Sequence, residues 1–117
     1  MVWQLGNELR RKIHALSATD SAARDRRFCD QLKDAVSPVT RNIAEGFGRY
    51  RHREFAQFLS IARGSLFEVR DHIEDGIARN YWAREGTKEL AALCNLTIAA
   101  VTYFIKYLRS SAEAPNR

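Results

Sequence analysis

The sequence has few of the residues that interrupt or cross-link a chain. Its 117 residues include two prolines, six glycines and two cysteines. With 45% hydrophobic residues, this composition excludes a collagen-like or low-complexity protein. Two cysteines are too few for a disulfide scaffold, and Cys29 and Cys94 fall within apolar stretches. We therefore expect two buried free thiols.

Long apolar runs and targeting signals are also missing. No uninterrupted apolar run approaches the roughly 20 residues that cross a bilayer. The opening residues, MVWQLGNELRRK, lack the order of charges and apolar residues found in a signal peptide. The length favours a single domain, which we expect to be cytoplasmic and without membrane contact.

Motifs of catalysis and of metal binding are absent as well. The chain has no Gly-x-Ser-x-Gly, P-loop or dinucleotide fingerprint. The three histidines, His14, His52 and His72, fall on different predicted elements, and the cysteines are not spaced as metal ligands. We therefore predict no catalytic residue, no metal and no cofactor, and expect that the protein is not an enzyme.

Hydrophobic residues recur every three or four positions in four stretches, which is typical of amphipathic helices. The predicted helices cover residues 2–18, 22–46, 52–79 and 83–109. Their short connections predict an all-α fold, an antiparallel up-down-up-down four-helix bundle. We expect residues 1–110 to form this domain and residues 111–117 to form a flexible tail.

Further signals lie at the helix ends and inside the second helix. Thr19, Asp20 or Ser21 is expected to cap the second helix, and a glycine in the left-handed conformation, Gly46 or Gly48, to end it. Because the apolar pattern continues past Pro38, we predict a kink there and not a termination. The third helix has Arg51 where a capping box needs serine or threonine, so it lacks that box.

The segment between the second and third helices is the most distinctive part of the chain. Residues 42–49 are NIAEGFGR, and residues 54–68 are EFAQFLSIARGSLFE. Together with the opening VWQL, Tyr81 and the closing IKYL, they resemble the 23S rRNA intervening-sequence protein family over nearly the whole chain. The accessory variability proteins of diversity-generating retroelements are similar to this family.

The resemblance implies a four-helix bundle that forms ring-shaped homo-oligomers, notably pentamers. We interpret the polar and glycine residues of the motif as a cluster that fixes the turn between two helices. The alternative is that they contact a ligand or a nucleotide. These motif residues are Asn42, Glu45, Gly46, Gly48 and Ser65, together with Arg49.

Two predicted helices carry a second apolar face in addition to the core stripe. A glycine on a solvent-facing helix costs about 1 kcal/mol relative to alanine, so Gly64 favours close packing against another backbone. We predict a subunit interface here; the alternative is scattered apolar surface residues, which are common. The predicted interface residues are Ile61, Gly64, Phe67, Leu96, Tyr103 and Tyr107.

Basic residues cluster around the same motif in a chain of formal net charge +5. Residues 41–53 contain four arginines and one acidic residue, a local charge of +3. Guanidinium groups neutralise phosphates, and exposed rings stack on unpaired bases. We predict an RNA or DNA site, and the alternative is a solvated helix end. The predicted site residues are Arg41, Arg49, Tyr50, Arg51, His52 and Arg53.

A second basic patch, Arg24, Arg26 and Arg27, lies at the start of the second helix. The patterns together predict a small basic homo-oligomeric adaptor that binds nucleic acid, or a nucleic-acid enzyme such as a reverse transcriptase, through an arginine-rich rim. The alternative is a structural or protein-interaction bundle without a nucleic-acid role.

Overall fold

The computed structural model describes residues 1–112, except for the side chains of Asp20 and Ala112. Regular secondary structure in that range is entirely helical, which confirms the predicted all-α fold. A 3₁₀ turn, Glu85–Thr87, precedes the last helix. The α-helices are α1 (Val2–Ser17), α2 (Asp20–Ala23), α3 (Arg26–Phe47), α4 (His52–Ala78) and α5 (Lys88–Ala112).

Several predicted helix boundaries are wrong. The expected loop at residues 17–23 contains α2, and the second long helix, α3, begins at Arg26. The reason is its cap: the Oδ1 atom of Asp25 accepts the backbone N–H of Phe28 at 3.1 Å. This bond satisfies one of the N–H groups left over at a helix start. The cap is therefore Asp25 and not one of the three residues expected from the sequence, of which Thr19 precedes α2 without a side-chain cap.

The last long helix is also displaced along the chain. It begins at Lys88, five residues after the predicted start, because the 3₁₀ turn occupies the intervening segment. It continues to Ala112, so Ser110 and Ser111, predicted to lie outside the helix, are helical. The rest of the predicted tail, residues 113–117, lies outside the described residues. Helix α4 begins at His52, as predicted, and Arg51 provides no side-chain cap.

The predicted apolar stripes meet in one core. Helix α3 packs against α1 and α4, and α5 packs against α4 and α1. The contact between α1 and α3 is close, since a Cβ atom on Gly6 would lie 3.1 Å from Cγ1 of Val39. The centre of the core consists of fully buried aliphatic side chains, among them Leu9, Ile13, Leu32, Val36, Ile43, Leu59, Leu66, Val101 and Ile105.

Some stripe residues lie at the margin of the core. Phe58 is half-buried, and its ring lies under the guanidinium group of Arg49, 4.8 Å from the ring centroid. Half-buried positions of this kind also include Leu5, Leu16, Leu93 and Phe104.

Both cysteines are buried and free, as predicted. The thiol of Cys29 donates to the carbonyl oxygens of Ser17 at 3.4 Å and Ala22 at 3.1 Å, which joins the end of α1 and α2 to α3. Burial raises the pKa of the Cys94 thiol to about 11. Cys94 is therefore protonated at neutral pH and acts as a small apolar side chain.

Helix α5 has more apolar surface than the core uses. Judged by length and composition alone, the segment Glu85–Ser111 is long and apolar enough to cross a membrane. Of its most apolar 18-residue stretch, 28% is buried inside the fold. Core helices of water-soluble proteins meet the same criterion. Thr97, Thr102 and Lys106 interrupt this segment, so its apolar residues do not form one continuous run. Its outer face carries the exposed side chains of Leu96, Tyr103 and Tyr107.

Replacing Leu66 with alanine tests the position of the core. Leu66 is completely buried on α4, so we expect the Leu66→Ala variant to lose about 2–5 kcal/mol of unfolding free energy. Gln57→Ala, at an exposed position of the same helix, should change it by less than about 0.5 kcal/mol. Urea unfolding followed by circular dichroism measures both values. Equal effects of the two substitutions would contradict the assignment.

Candidate nucleic-acid interface

Helices α3 and α4 are joined by a short connection, residues 48–51, that is held at both ends. The N–H of Gly48 donates to the carbonyl of Glu45 at 3.1 Å, and the N–H of Arg49 donates to the carbonyl of Gly46 at 3.0 Å. On the other side, the N–H of Phe55 donates to the carbonyl of Arg51 at 3.1 Å. The conformation of the connection is therefore determined by the two helices that flank it.

The glycines of this segment do not have the role predicted for them. Gly48 has φ −76° and ψ −7°, a right-handed conformation, and the described glycines include none with positive φ. Gly46 instead allows close approach, because a Cβ atom there would lie 2.6 Å from Cδ1 of Phe55. The expectation of a left-handed glycine is wrong, since α3 ends through N–H bonds to Glu45 and Gly46 without a reversal of φ.

The pair Glu45 and Arg49 forms an ion pair across the end of α3. The Nη2 atom of Arg49 lies 2.7 Å from Oε1 of Glu45. Both side chains are about half exposed, at 40% and 53%, so the pair contributes no more than about 1 kcal/mol. Its main consequence is geometric: it holds the Arg49 guanidinium over the ring of Phe58.

The other polar residues of the motif lie apart from this ion pair. The side-chain amide of Asn42 donates to the carbonyl of Pro38 at 2.8 Å, within α3. Ser65 is buried on α4. Within residues 1–112, neither residue hydrogen-bonds to Glu45 or Arg49. The motif residues thus divide into an ion pair at the turn, an amide inside α3 and a buried hydroxyl on α4.

The predicted nucleic-acid residues lie around this turn, and we call them the arginine rim: Arg41, Arg49, Tyr50, Arg51, His52 and Arg53. Among the side chains that the structure describes, no carboxylate forms an ion pair with the exposed Arg41, Arg51 or Arg53. The side chain of Tyr50 is 98% exposed. Three guanidinium groups and one aromatic ring of the rim are thus open to solvent.

His52 has a more structural position than its neighbours. Its Nδ1 atom lies 2.9 Å from Oγ of Ser111, and its ring centroid lies 6.5 Å from that of Tyr107. The start of α4 therefore contacts the end of α5 beside the arginine rim.

The predicted interface residues are exposed on α4 and α5. Nothing lies within 4 Å of a Cβ atom built on Gly64, and Ile61, Leu96 and Tyr103 are more than half exposed. Tyr107 lies beside His52 and one helical turn after Tyr103 on α5. It therefore borders the arginine rim.

A polar cluster that the sequence did not reveal lies at the other end of α3. The carboxylate of Asp25 accepts hydrogen bonds from the Tyr81 hydroxyl, from the N–H of Phe28 and from Nη1 of Arg79 at 3.3 Å. The Arg79 guanidinium also donates to Asp75 at 3.0 Å. We call these residues, Asp25, Arg79 and Tyr81, the Asp25 cluster.

Hydrogen bonds and charge shift the ionisation of the Asp25 cluster. The Tyr81 hydroxyl, the Phe28 N–H and the Arg79 charge hold the pKa of Asp25 below its usual value. The hydrogen bond to the Asp25 carboxylate, together with burial, raises the pKa of Tyr81. The predictive signal in the sequence was an aspartate three residues before Phe28, which is a typical helix N-cap. The partners Arg79 and Tyr81 are more than 50 residues away and carry no such signal.

The connection after α4 is built on the same cluster. Asn80 ends the helix with φ 62°, and the N–H of Tyr81 donates to the carbonyl of Gly76 at 2.9 Å. The indole N–H of Trp82 donates to the carbonyl of Ile73 at 3.0 Å, and the ring occupies the space where a side chain on residue 76 would lie. The turn expected between the predicted helices, residues 80–82, lies inside a longer connection that includes the 3₁₀ turn Glu85–Thr87.

The second basic patch lies beside the Asp25 cluster. Arg24, Arg26 and Arg27 are exposed, and an open depression of about 550 Å³ is lined by Arg24 and Arg26 together with the cluster residues. Helix α3 has 22 residues, so this patch lies about 33 Å from the arginine rim. In the described part of the chain, no group of three or more His, Cys, Asp or Glu side chains could hold a metal ion.

Comparison with known proteins identifies a family. A family model described as 23S rRNA-intervening sequence protein matches residues 1–102. That range includes α1 to α4, the arginine rim and most of α5. No curated protein matches the chain.

The stability of the Asp25 cluster should depend on pH. Because the pKa of Asp25 is lowered in the folded protein, its contribution is present above the ordinary aspartate value of about 3.9 and is lost as the pH falls through the lowered value. Asp25→Asn keeps an oxygen acceptor for the Phe28 N–H but removes the charge. We expect it to be less stable than the wild type at neutral pH, with a difference that shrinks below about pH 4.

Urea unfolding across this pH range measures the difference. Asp30→Asn, which changes an exposed aspartate of the same helix, is the matched control and should show no comparable pH-dependent loss. If the unfolding free energy of Asp25→Asn stays below that of the wild type by the same amount down to about pH 3, the charge of Asp25 does not stabilise the fold.

Proposed function

The chain belongs to the 23S rRNA-intervening sequence protein family, and we propose that it is a non-enzymatic, homo-oligomeric adaptor that binds nucleic acid through the arginine rim. The family name states no activity, so the proposal depends on the surface of the molecule. The observation that carries it is the set of exposed guanidinium groups, Arg41, Arg51 and Arg53, together with the exposed ring of Tyr50.

Charge is the physical reason for assigning a polyanion to this surface. Glu45 is the acidic residue of the segment 41–53, and its carboxylate is already paired with Arg49. The remaining guanidinium groups have no carboxylate partner within residues 1–112. Arginine presents a planar fork that matches phosphate oxygens, and neutralising phosphates releases counterions, which favours binding.

The proposed architecture is an antiparallel up-down-up-down four-helix bundle with α3 kinked at Pro38. The pairs His52–Ser111 and Arg70–Asn95 support this topology, because early residues of α4 meet late residues of α5 and later residues of α4 meet earlier ones of α5. Pro38 lies inside the unbroken helix α3 and has no N–H for the carbonyl four residues before it, which favours a kink.

We further propose that several copies assemble through the outer faces of α4 and α5, with a pentameric ring as the favoured form. Exposed Ile61, Phe67, Leu96 and Tyr103 form the apolar part of these faces, and Gly64 leaves room for a neighbouring backbone. A ring would repeat the arginine rim, and several weak sites that engage one polyanion increase avidity without any new contact.

The competing candidate is an adaptor that binds only protein. The exposed aromatic residues Phe47 and Tyr50 favour it, because large aromatic side chains are enriched in protein interfaces. It predicts no salt-dependent affinity for RNA or DNA.

The assembly is tested with two arginine substitutions at open glycines. Gly64→Arg should dissociate the oligomer without unfolding the subunit, because it places a long charged side chain at the proposed contact. Gly86→Arg, also at an exposed glycine with nothing within 4 Å, is the control and should leave the mass unchanged. Light scattering gives the mass and circular dichroism the helix content. A monomeric wild type would refute the proposed assembly.

Nucleic-acid binding is tested with two variants of equal charge. Arg41→Ala/Arg51→Ala/Arg53→Ala should weaken binding to labelled RNA strongly and reduce the salt dependence of the affinity, by up to about 0.9 in slope for each lost duplex phosphate contact. Arg49 is left intact because its guanidinium group is already paired with Glu45. Fluorescence anisotropy across a range of salt concentrations measures both effects.

The matched control, Arg24→Ala/Arg26→Ala/Arg27→Ala, also removes three positive charges but from the other end of α3. It should retain most of the affinity. Equal weakening by the two variants would mean that net charge and not the arginine rim determines binding. A wild-type affinity that does not change with salt concentration, or the absence of RNA and DNA binding, would contradict the proposed function. Either result would favour the protein-binding candidate.

A further inference from the structure

We propose that the arginine rim selects unpaired nucleic-acid strands over duplexes, with Tyr50 as the ring on which a base stacks. This inference rests on the proposed function and adds to it the class of nucleic acid and the residue that distinguishes it. It depends on the exposure of Tyr50, on the way its connection is held, and on the groups that flank it.

The ring of Tyr50 does not stabilise the fold. It is 98% exposed, and no aromatic or cation–π contact within residues 1–112 involves it. An aromatic side chain normally contributes through the large apolar area that it buries, and Tyr50 buries almost none. Its two faces are therefore available to a flat ligand.

The other aromatic ring near the turn, that of Phe47, already packs against other rings of the fold. Phe47 is about half exposed, but its ring packs 4.8 Å from that of Phe55 and 6.4 Å from that of Phe104, measured between centroids. Phe47 thus belongs to an aromatic cluster that joins α3, α4 and α5. This leaves Tyr50 as the ring of the turn that can stack on a base from both faces.

The backbone that carries Tyr50 is held before any ligand binds. Main-chain hydrogen bonds anchor the connection at Gly48, Arg49 and Phe55. The ion pair with Glu45 and the contact with the Phe58 ring hold the side chain of Arg49. A ring on an anchored connection loses less conformational freedom on binding than one on a flexible loop, which favours affinity.

The flanking charges match the chemistry of an unpaired strand. Tyr50 lies between Arg49 and Arg51, and Arg53 follows at the start of α4. An unpaired strand offers a phosphate and an open base face at each nucleotide, so guanidinium groups and a ring can be engaged together. In a duplex the base faces are covered by their neighbours, and direct contacts are restricted to phosphates and groove edges. The arginines bind both forms, whereas Tyr50 gains only from the unpaired one.

The test compares Tyr50→Leu, which removes the ring, with Tyr50→Phe, which keeps it. The probes are a labelled RNA strand of mixed sequence without self-complementarity and the same strand annealed to its complement. Loss of one base stack weakens binding by about 5- to 150-fold. We expect this loss for Tyr50→Leu on the unpaired strand, little change on the duplex, and nearly wild-type affinity for Tyr50→Phe.

The salt dependence separates this inference from the proposed function. Tyr50→Leu should lower the affinity at every salt concentration with an unchanged slope, because stacking releases no counterions. Equal wild-type affinity for strand and duplex, or an unchanged affinity of Tyr50→Leu for the strand, would overturn the inference. In that case the proposed function would still be supported if Arg41→Ala/Arg51→Ala/Arg53→Ala binds RNA more weakly than the wild type. No binding of either probe would overturn both.

Discussion

The close approach of α3 and α4 at Gly46 is the constraint on which the rest of the proposed site depends. No side chain fits between the α3 backbone and the ring of Phe55, so the two helices meet where α3 ends. That meeting shortens the connection to residues 48–51 and brings Arg49 over Phe58. Tyr50 lies on this short connection and is 98% exposed. Gly46 therefore sets how closely the two helices pack beside the connection that carries the ring.

Arginine has two different roles at the two ends of α3. At the Asp25 cluster, Arg79 is paired with Asp25 and Asp75 and lies over the ring of Phe28, 5.3 Å from its centroid. At the arginine rim, Arg51 and Arg53 have no acidic partner within residues 1–112. The difference comes from the neighbouring carboxylates and not from the arginines themselves. A guanidinium group that is paired with a carboxylate of the same chain stabilises the fold, whereas an unpaired guanidinium group is available to bind a phosphate.

The outer faces of α4 and α5 carry apolar side chains that do not take part in the core of the subunit. A chain of 117 residues has a limited core, and α4 and α5 each retain apolar side chains outside it. Gly64 contributes nothing to packing inside the subunit. A helix glycine with no internal role lowers stability by about 1 kcal/mol relative to alanine, which is consistent with a role between subunits.

The sequence by itself determined the all-helical class, the four apolar stripes, the family and the position of the basic segment. These features are local, because each depends on the spacing of residues within one helix or one turn. Periodicity does not report hydrogen bonds between distant segments. The hydrogen bonds from Arg79 and Tyr81 to Asp25, and the contact of His52 with Ser111, join residues 54 to 59 positions apart. Only the tertiary structure decided which arginines are paired, why Gly46 must be glycine and which aromatic ring is left open, because each depends on the side chains that other helices bring beside it.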